Sequence, residues 1–540
     1  MAAMAIFKRH DRADGGKDPG KPAKVHRPNF LARTVNGWFN RIIGAAASGS
    51  FGGQEELYAA HRTSRDYLWN TVAIATWGFV FPLLTIIVTQ LVGVELGGMF
   101  SMAFVVGSLL MFIGNYGMRT YQVSDIEEKH SFSDYQINRW LTCAVMVAVG
   151  VLYGVVRGYA QDMFMISMGV YLYKMVDGLA DVYEGRLQQM DKLYLAGISL
   201  VLRSVLVIVV FAACLLITKN LPAACIAMAV AAAVSFIVIT FPLALLETPK
   251  SRKFRIGSIA TLFKNCFPLF IALFSYALID SMPRLIMEST LSYDNQLYFY
   301  VMCFPATATV LIVGFIYKPQ LLRMANMWAD PKRHRQFNLT VVAVFGAIAI
   351  VTAAMVFFVA WVGIAVMGFL YGIDLEQFRG LFFVMLAAGG VMAAIDFLYQ
   401  VITVLRKQMA VMKLYLITFG FSLFIPFLLI NFTGLPGAVL SYLIIMSILL
   451  VLLVMDFFRI RAAFAHEQEL ENSRERRQEL RRSLQGEEPP QAQGEQQVQN
   501  MPQGQGVQQV PGAQPAQNVP QTQDPQPAPT HKRRPSLRRR

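Results

Sequence analysis

Twelve runs of about 20 predominantly apolar residues follow one another between residues 67 and 458, each long enough to cross a hydrocarbon core about 30 Å thick. The runs are continuous rather than alternating in polarity. A barrel is therefore excluded, and each segment must satisfy its own backbone as a helix. Composition agrees: 55% of the 540 residues are hydrophobic and 15% charged, where soluble domains run near a quarter charged. The sequence predicts an all-α polytopic membrane protein with about twelve transmembrane helices, six in each half.

The predicted organisation is an arm (1–66), a first six-helix lobe (67–245), a connecting loop (246–257), a second six-helix lobe (258–458) and a tail (459–540). In the arm, Phe30, Leu31, Val35, Trp38, Phe39, Ile42 and Ile43 recur at helical spacing among Arg33, Asn36, Asn40 and Arg41. That pattern suits either an interfacial helix on the inner leaflet or packing against a cytosolic loop. The tail begins with a charged helical pattern over 459–484. It continues Gln-, Pro- and Gly-rich, too polar to bury a core, and ends in the basic block HKRRPSLRRR.

Segments 119–139, 181–193, 246–257, 318–335 and 406–413 hold seventeen Lys and Arg, whereas the alternate connections hold only Arg157, Lys219, Arg284 and Arg379. The positive-inside rule makes the first set cytosolic, with both termini inside. This placement also accounts for the net charge of +14 without nucleic acid as a partner. The five cysteines lie in or beside apolar runs with no CxxC spacing, and the chain has neither a Walker loop nor a metal-ligand cluster. No cofactor is expected. Short connections at the far side leave no room for a catalytic domain, which argues against a membrane polymerase.

The halves share a signature. Asp177 is followed after eleven residues by Gln189-Met190 and then Lys192-Leu-Tyr-Leu; Asp396 is followed after eleven residues by Gln408-Met409 and then Lys413-Leu-Tyr-Leu. Ionisable groups in a bilayer are costly and mark function, so matching acids in two halves suggest a transport site between them. Chance similarity of short Leu-rich motifs is the alternative.

Lys174, Asp177, Asp181 and Glu184 fall on one helical face. Lys174 suits an anionic substrate, and Asp177 suits either a local pair with it or a group that titrates during coupling to H+ or Na+. Arg203, in the next span, suits phosphate binding, pairing with Asp177, or snorkelling. Asp280 and Arg284, four residues apart with Pro283 between them, suit an outer gate or a surface pair at a helix end. Asp396 has no basic residue nearby in its own helix, which makes it a candidate coupling group. Pro242, Pro268, Pro305, Pro426 and Gly389-Gly390 are candidate hinges.

The stretches RTYQVSDIEEKHSFSDYQINR (119–139) and VDGLADVYEGRLQQMDKLYLAG (176–197), within the six-plus-six plan, resemble the polysaccharide-biosynthesis flippases of the multidrug/oligosaccharidyl-lipid/polysaccharide exporter superfamily. The resemblance implies two pseudo-symmetric lobes with a MATE-like fold around a central cavity. It also implies transfer of a polyprenyl-pyrophosphate-linked oligosaccharide from the cytosolic to the outer leaflet of a bacterial plasma membrane, with no covalent chemistry. Lys174 and Arg203, with Arg284 at the outer end, would meet the anionic head. The superfamily also contains cation-coupled multidrug exporters and peptidoglycan-precursor flippases, which stay open as alternatives. Membrane lipids are expected partners, and the tail is a candidate docking segment for other polysaccharide-biosynthesis proteins.

Overall fold

The computed structural model describes residues 62–125, 127–251, 256–329, 333–405 and 408–484. The predicted interfacial helix near residues 30–43 and the Gln/Pro-rich tail lie outside them. The first lobe contains α1 (Arg62–Val92), α2 (Val94–Asn115), a short α3 (Met118–Ser124), α4 (Phe132–Val156), α5 (Gln161–Gln189) and α6 (Leu193–Thr218). Its last span is α7 (Leu221–Ser235), a π-helical turn (Phe236–Thr240) and α8 (Phe241–Glu247). The second lobe contains α9 (Ile256–Thr290), α10 (Tyr293–Tyr317), a short α11 (Leu321–Ala329) and α12 (His334–Phe358), which continues through a π turn (Val359–Gly363) into α13 (Ile364–Tyr371). It ends with α14 (Arg379–Val404), α15 (Gln408–Thr433) and α16 (Leu435–Leu484), whose helix carries on into the charged segment without a break.

Among the described residues, eleven spans are long and apolar enough to cross a membrane. The twelfth predicted span is α5. Its 29 residues reach roughly 44 Å at 1.5 Å per residue, ample for a crossing. It fails on composition, because Lys174, Asp177, Asp181, Glu184 and Arg186 interrupt it. The least apolar span is thus the one that carries the charged stripe. Around the bundle, large apolar residues such as Ile217, Phe369 and Phe432 are exposed, as a lipid-facing belt requires and a water-facing surface would not tolerate.

Helix pairing repeats between the lobes: α1 packs on α6 and α2 on α5, while α9 packs on α15 and α10 on α14. Each lobe buries its own apolar cluster. α9 belongs to both, since Leu262 and Cys266 join the first core and Ile279 and Met287 the second. Pro268, inside this helix, lies at the crossover, where its missing N–H leaves one helical bond unmade. Pro283 does not end its helix: α9 runs on to Thr290, as buried prolines in packed membrane helices can when neighbours stabilise the turn.

The end bearing segments 119–139, 181–193 and 246–257 is called here the basic end, and the opposite one the far end. Contacts between lobes gather toward the far end. α2 meets α10 so closely that Gly98 has no room for a Cβ against the Tyr293 carbonyl, Phe81 packs on Tyr300 with ring centroids 4.3 Å apart, and Gln90 Nε2 donates to the carbonyls of Phe369 (3.1 Å) and Leu370 (2.9 Å). Toward the basic end, the first half of α9 makes the contacts: Tyr116 stacks on Phe270, and Asn265 Nδ2 donates to Tyr121 Oη at 3.1 Å.

The lobes are not identical. The 219-residue offset that relates Asp177 to Asp396 sets Gly390 opposite Tyr171. Tyr171 is buried against Gly150. Where its ring would lie in the second lobe, an apolar groove of about 550 Å³ opens between α12 and α14, lined by Ile348, Thr352, Val356 and Gly390 among others.

Candidate functional site

The stripe on α5 faces inward, and Lys174, Asp177 and Glu184 are all buried. Arg203 from α6 inserts between the two acids. Its Nε donates to Asp177 Oδ1 at 2.9 Å and its Nη1 to Glu184 Oε1 at 2.7 Å. Nη1 also reaches Thr240 Oγ1 at 3.4 Å, and Thr240 pairs with Ser199 at 2.7 Å. Thr240 closes the π turn between α7 and α8, so the local widening of that helix aims a hydroxyl at the guanidinium. The second oxygen of Asp177 accepts from Trp77 Nε1 of α1 at 2.9 Å.

Of the partners considered for Asp177, the structure therefore supplies Arg203 and adds Trp77, which no local pattern singles out. Lys174 takes a different environment. Its Nζ lies 4.7 Å from the ring centroid of Phe104, 5.0 Å from Trp77 and 5.4 Å from Tyr173. Among the described residues no carboxylate lies within ion-pair distance of it. Cation–π attraction by three rings offsets part of the desolvation of an ammonium but leaves its hydrogen-bonding capacity open. Trp77, on the open side of this cluster and itself 36% exposed, covers both Lys174 and Asp177.

Below the cluster, the two stretches that carried the family resemblance meet. Asp181 is held by Arg119 Nη1 at 2.6 Å and Arg139 Nη2 at 2.8 Å. Gln122 Nε2 donates to the Val182 carbonyl at 3.0 Å, Arg186 Nη1 to Glu128 Oε1 at 2.8 Å, and Gln189 Nε2 to the Asp125 carbonyl at 2.6 Å. Ser131 and Asp134 form a capping box at the start of α4, and Ser258 of α9 donates to Asp134 Oδ2 at 2.8 Å. The polar loop after α2 is thus a clamp on the exit of α5, tied onward to α9.

Asp396 occupies the matching helix, α14, and is half-buried. Its carboxylate accepts from Tyr317 Oη at 2.5 Å. The partners of Asp177 come from the first lobe and that of Asp396 from the second. Each acid sits in its own lobe rather than in a shared ion pair.

At the far end, Arg284 Nη2 pairs with Asp280 Oδ2 at 2.9 Å, Tyr442 Oη donates to Asp280 Oδ1 at 2.6 Å, and Gln296 Nε2 donates to the Arg284 carbonyl at 2.8 Å. All four residues belong to the second lobe. A charged contact that bridges the lobes lies four residues on, at Glu288, which is turned about 80° around the helix from Asp280. Glu288, its side chain 3% exposed, accepts from Arg157 Nη2 at 2.8 Å and Nε at 3.2 Å, from Tyr153 Oη at 2.8 Å, and from Tyr159 Oη. Arg157 Nη2 also donates to the Leu285 carbonyl at 2.7 Å. In the sequence Arg157 stands out only as a charge in a connection, and Glu288 does not stand out. The signal available was an acid and a base flanking spans at the same end.

No family model matches the chain, and no curated protein matches it. Solved structures do. The chain is similar to the lipid II flippase MurJ in an inward closed conformation, at 11% identity and a TM-score of 0.56, covering 72% of this chain and 87% of that one. It is also similar to a MOP-superfamily transporter from Pyrococcus furiosus Vc1 described by the reverse polarity of its binding pocket (12% identity, TM-score 0.51, covering 76% and 99%). A third likeness is to an inward-facing multidrug resistance MATE family transporter of the MOP superfamily (11%, 0.51, covering 73% and 98%). At such identities the likeness speaks for the fold: this is a multi-pass helical protein with the MATE-like architecture of MOP-superfamily transporters.

Proposed function

We propose that this protein moves a polyprenyl-pyrophosphate-linked oligosaccharide across the plasma membrane of a bacterium for surface polysaccharide biosynthesis, from the cytosolic to the outer leaflet. The basic end is cytosolic in this reading, with both chain termini on that side. The observation that carries it is Lys174: a cation buried at mid-span, without a carboxylate partner among the described residues and covered by a single exposed tryptophan. Sugar hydroxyls and phosphate oxygens cannot enter hydrocarbon unaccompanied. A cationic point reached by displacing Trp77 receives the head group while the polyprenyl chain stays in lipid. Rocking of two separately cored lobes about α9 then presents the head to the far side. Arg203, bound to two acids, holds the wall of the site rather than the phosphate.

The closest competing reading is a cation-coupled multidrug exporter, favoured by the acid pair on Arg203, with H+ or Na+ exchanging at Asp177. A peptidoglycan-precursor flippase is a third reading within the same fold. The discriminating experiment measures the amount and sidedness of polyprenyl-pyrophosphate-linked oligosaccharide in cells depleted of the protein. Accumulation on the cytosolic leaflet with loss of surface polysaccharide is expected. Unchanged lipid-linked oligosaccharide with raised drug sensitivity would give the protein to the exporters.

A further inference from the structure

At the far end, every donor in the cluster around Glu288 belongs to one lobe. Tyr153 stands in the last turn of α4, and Arg157 and Tyr159 in the connection from α4 to α5. The acceptors, the Glu288 carboxylate and the Leu285 carbonyl, stand on the other lobe, near the end of α9. Arg157 directs both Nε and Nη2 at one carboxylate oxygen, and the two phenols take both oxygens between them. A guanidinium edge flanked by phenol hydroxyls suits a phosphate at least as well as a carboxylate, because a phosphate offers more acceptors to the same fork. Two further hydroxyls lie beside these groups: Tyr171 and Ser167 on α5 are buried, and Tyr171 packs in one cluster with Tyr153 and Tyr159. The first lobe thus directs four donors at one carboxylate.

We propose that Tyr153, Arg157 and Tyr159 form a binding site for the phosphate or pyrophosphate of a lipid head group, which Glu288 fills as an internal stand-in while the lobes are clasped. When the lobes part at the far end, Glu288 leaves with α9 and the donors stay behind on the first lobe. An incoming anion and Glu288 thus compete for one set of donors, so occupancy by the head group and opening of the far end become a single event. The inference rests on the rocking reading above but concerns a different place in the molecule from Lys174.

The test uses the full chain in nanodiscs of neutral lipid, with inorganic pyrophosphate as the probe. Glu288→Gln keeps the shape of the side chain and removes its charge. Pyrophosphate is expected to bind this variant about tenfold more tightly than wild type, as loss of a tethered competitor predicts. Adding Arg157→Ala should abolish the gain, and adding Arg157→Lys should keep only part of it. Equal affinity in wild type and Glu288→Gln, or a gain that survives Arg157→Ala, overturns the site. Spin labels at Asp162→Cys and Gly380→Cys report the far-end separation. A longer distance in Glu288→Gln without tighter pyrophosphate binding makes Glu288 a latch only and also overturns the site. Glu288→Asp, which draws the carboxylate back but keeps its charge, replaces Glu288→Gln if that variant does not fold, with a smaller gain expected. Repeating the titration in nanodiscs containing phosphatidylglycerol separates the sources: competition assigns the site to bulk phospholipid, and its absence to the pyrophosphate of the carried lipid. No carried lipid is present, so a failure here leaves the transport reading standing, and a failure to flip leaves the anion site standing.

Discussion

Arg203 Nε and Asp177 Oδ1 lie 2.9 Å apart with both side chains 2% exposed, and the same guanidinium holds Glu184 at 2.7 Å. One cation therefore pairs with two acids inside the first lobe. Removing one member of such a buried group strands the others, which typically costs about 3–5 kcal/mol. Arg203→Ala should lower the midpoint of thermal unfolding, followed by fluorescence-detected size exclusion in detergent. The triple change Arg203→Met, Asp177→Asn, Glu184→Gln should recover most of the loss. If Arg203→Ala abolished transport with an unchanged midpoint, Arg203 would be a substrate contact rather than a wall.

Lys174 should behave in the opposite way. Lys174→Met is close to volume-conserving and relieves a buried ammonium held only by rings, so stability should change by less than about 1.5 kcal/mol. Transport should be lost, read as lipid-linked oligosaccharide retained on the cytosolic leaflet. Lys174→Arg should keep a measurable fraction. A fully active Lys174→Met would remove the central observation behind the proposed substrate.

Much of this was legible in the chain and some was not, for reasons that can be named. Apolar run length fixed the helices because a bilayer admits little else, and the 3.6-residue period placed Lys174, Asp177 and Glu184 on one face of α5. Periodicity assigns a face and says nothing about what lies opposite. Trp77 is 100 positions from Asp177 and Glu288 is 131 from Arg157, so neither pairing had a local trace. Asp280 and Arg284 were visible as an i,i+4 pair for that same local reason, yet their side-chain contacts stay in the second lobe while the bridging acid sits one turn beyond. The two stretches that carried the family resemblance, one polar loop and one helix exit, are joined in space through Asp181, Arg186 and Gln189. Two sequences that must match each other are constrained together, which explains why both stood out.

That junction gives a further prediction. Asp181 neutralises Arg119 and the fully buried Arg139, so Asp181→Ala leaves a buried guanidinium with only the Gly114 carbonyl and Asn115. The 119–139 segment should loosen from α5, and amide hydrogen exchange there should accelerate while the core of α2 stays protected. The expected cost is about 3 kcal/mol, with Asp181→Glu intermediate. Unchanged exchange over 119–139 would mean that the Gln122, Arg186 and Gln189 contacts suffice without it.

Asp396 is the acid whose replacement should be mild. Its contact is a phenol donating at 2.5 Å from Tyr317, and an asparagine carbonyl still accepts that proton, more weakly than the carboxylate does. Asp396→Asn should cost no more than about 1 kcal/mol, and Tyr317→Phe a similar amount, as typical for one hydrogen bond. The two changes combined should cost less than the sum of the single changes, because both act on the same interaction. Any larger effect of Asp396→Asn must then appear in transport rather than in folding. If Asp396 carries the coupling ion, Asp396→Asn in proteoliposomes should still exchange lipid-linked oligosaccharide between leaflets but lose its response to an imposed proton or sodium gradient. A variant that answers the gradient as wild type does would take Asp396 out of coupling, leaving Asp177 as the acid to test next.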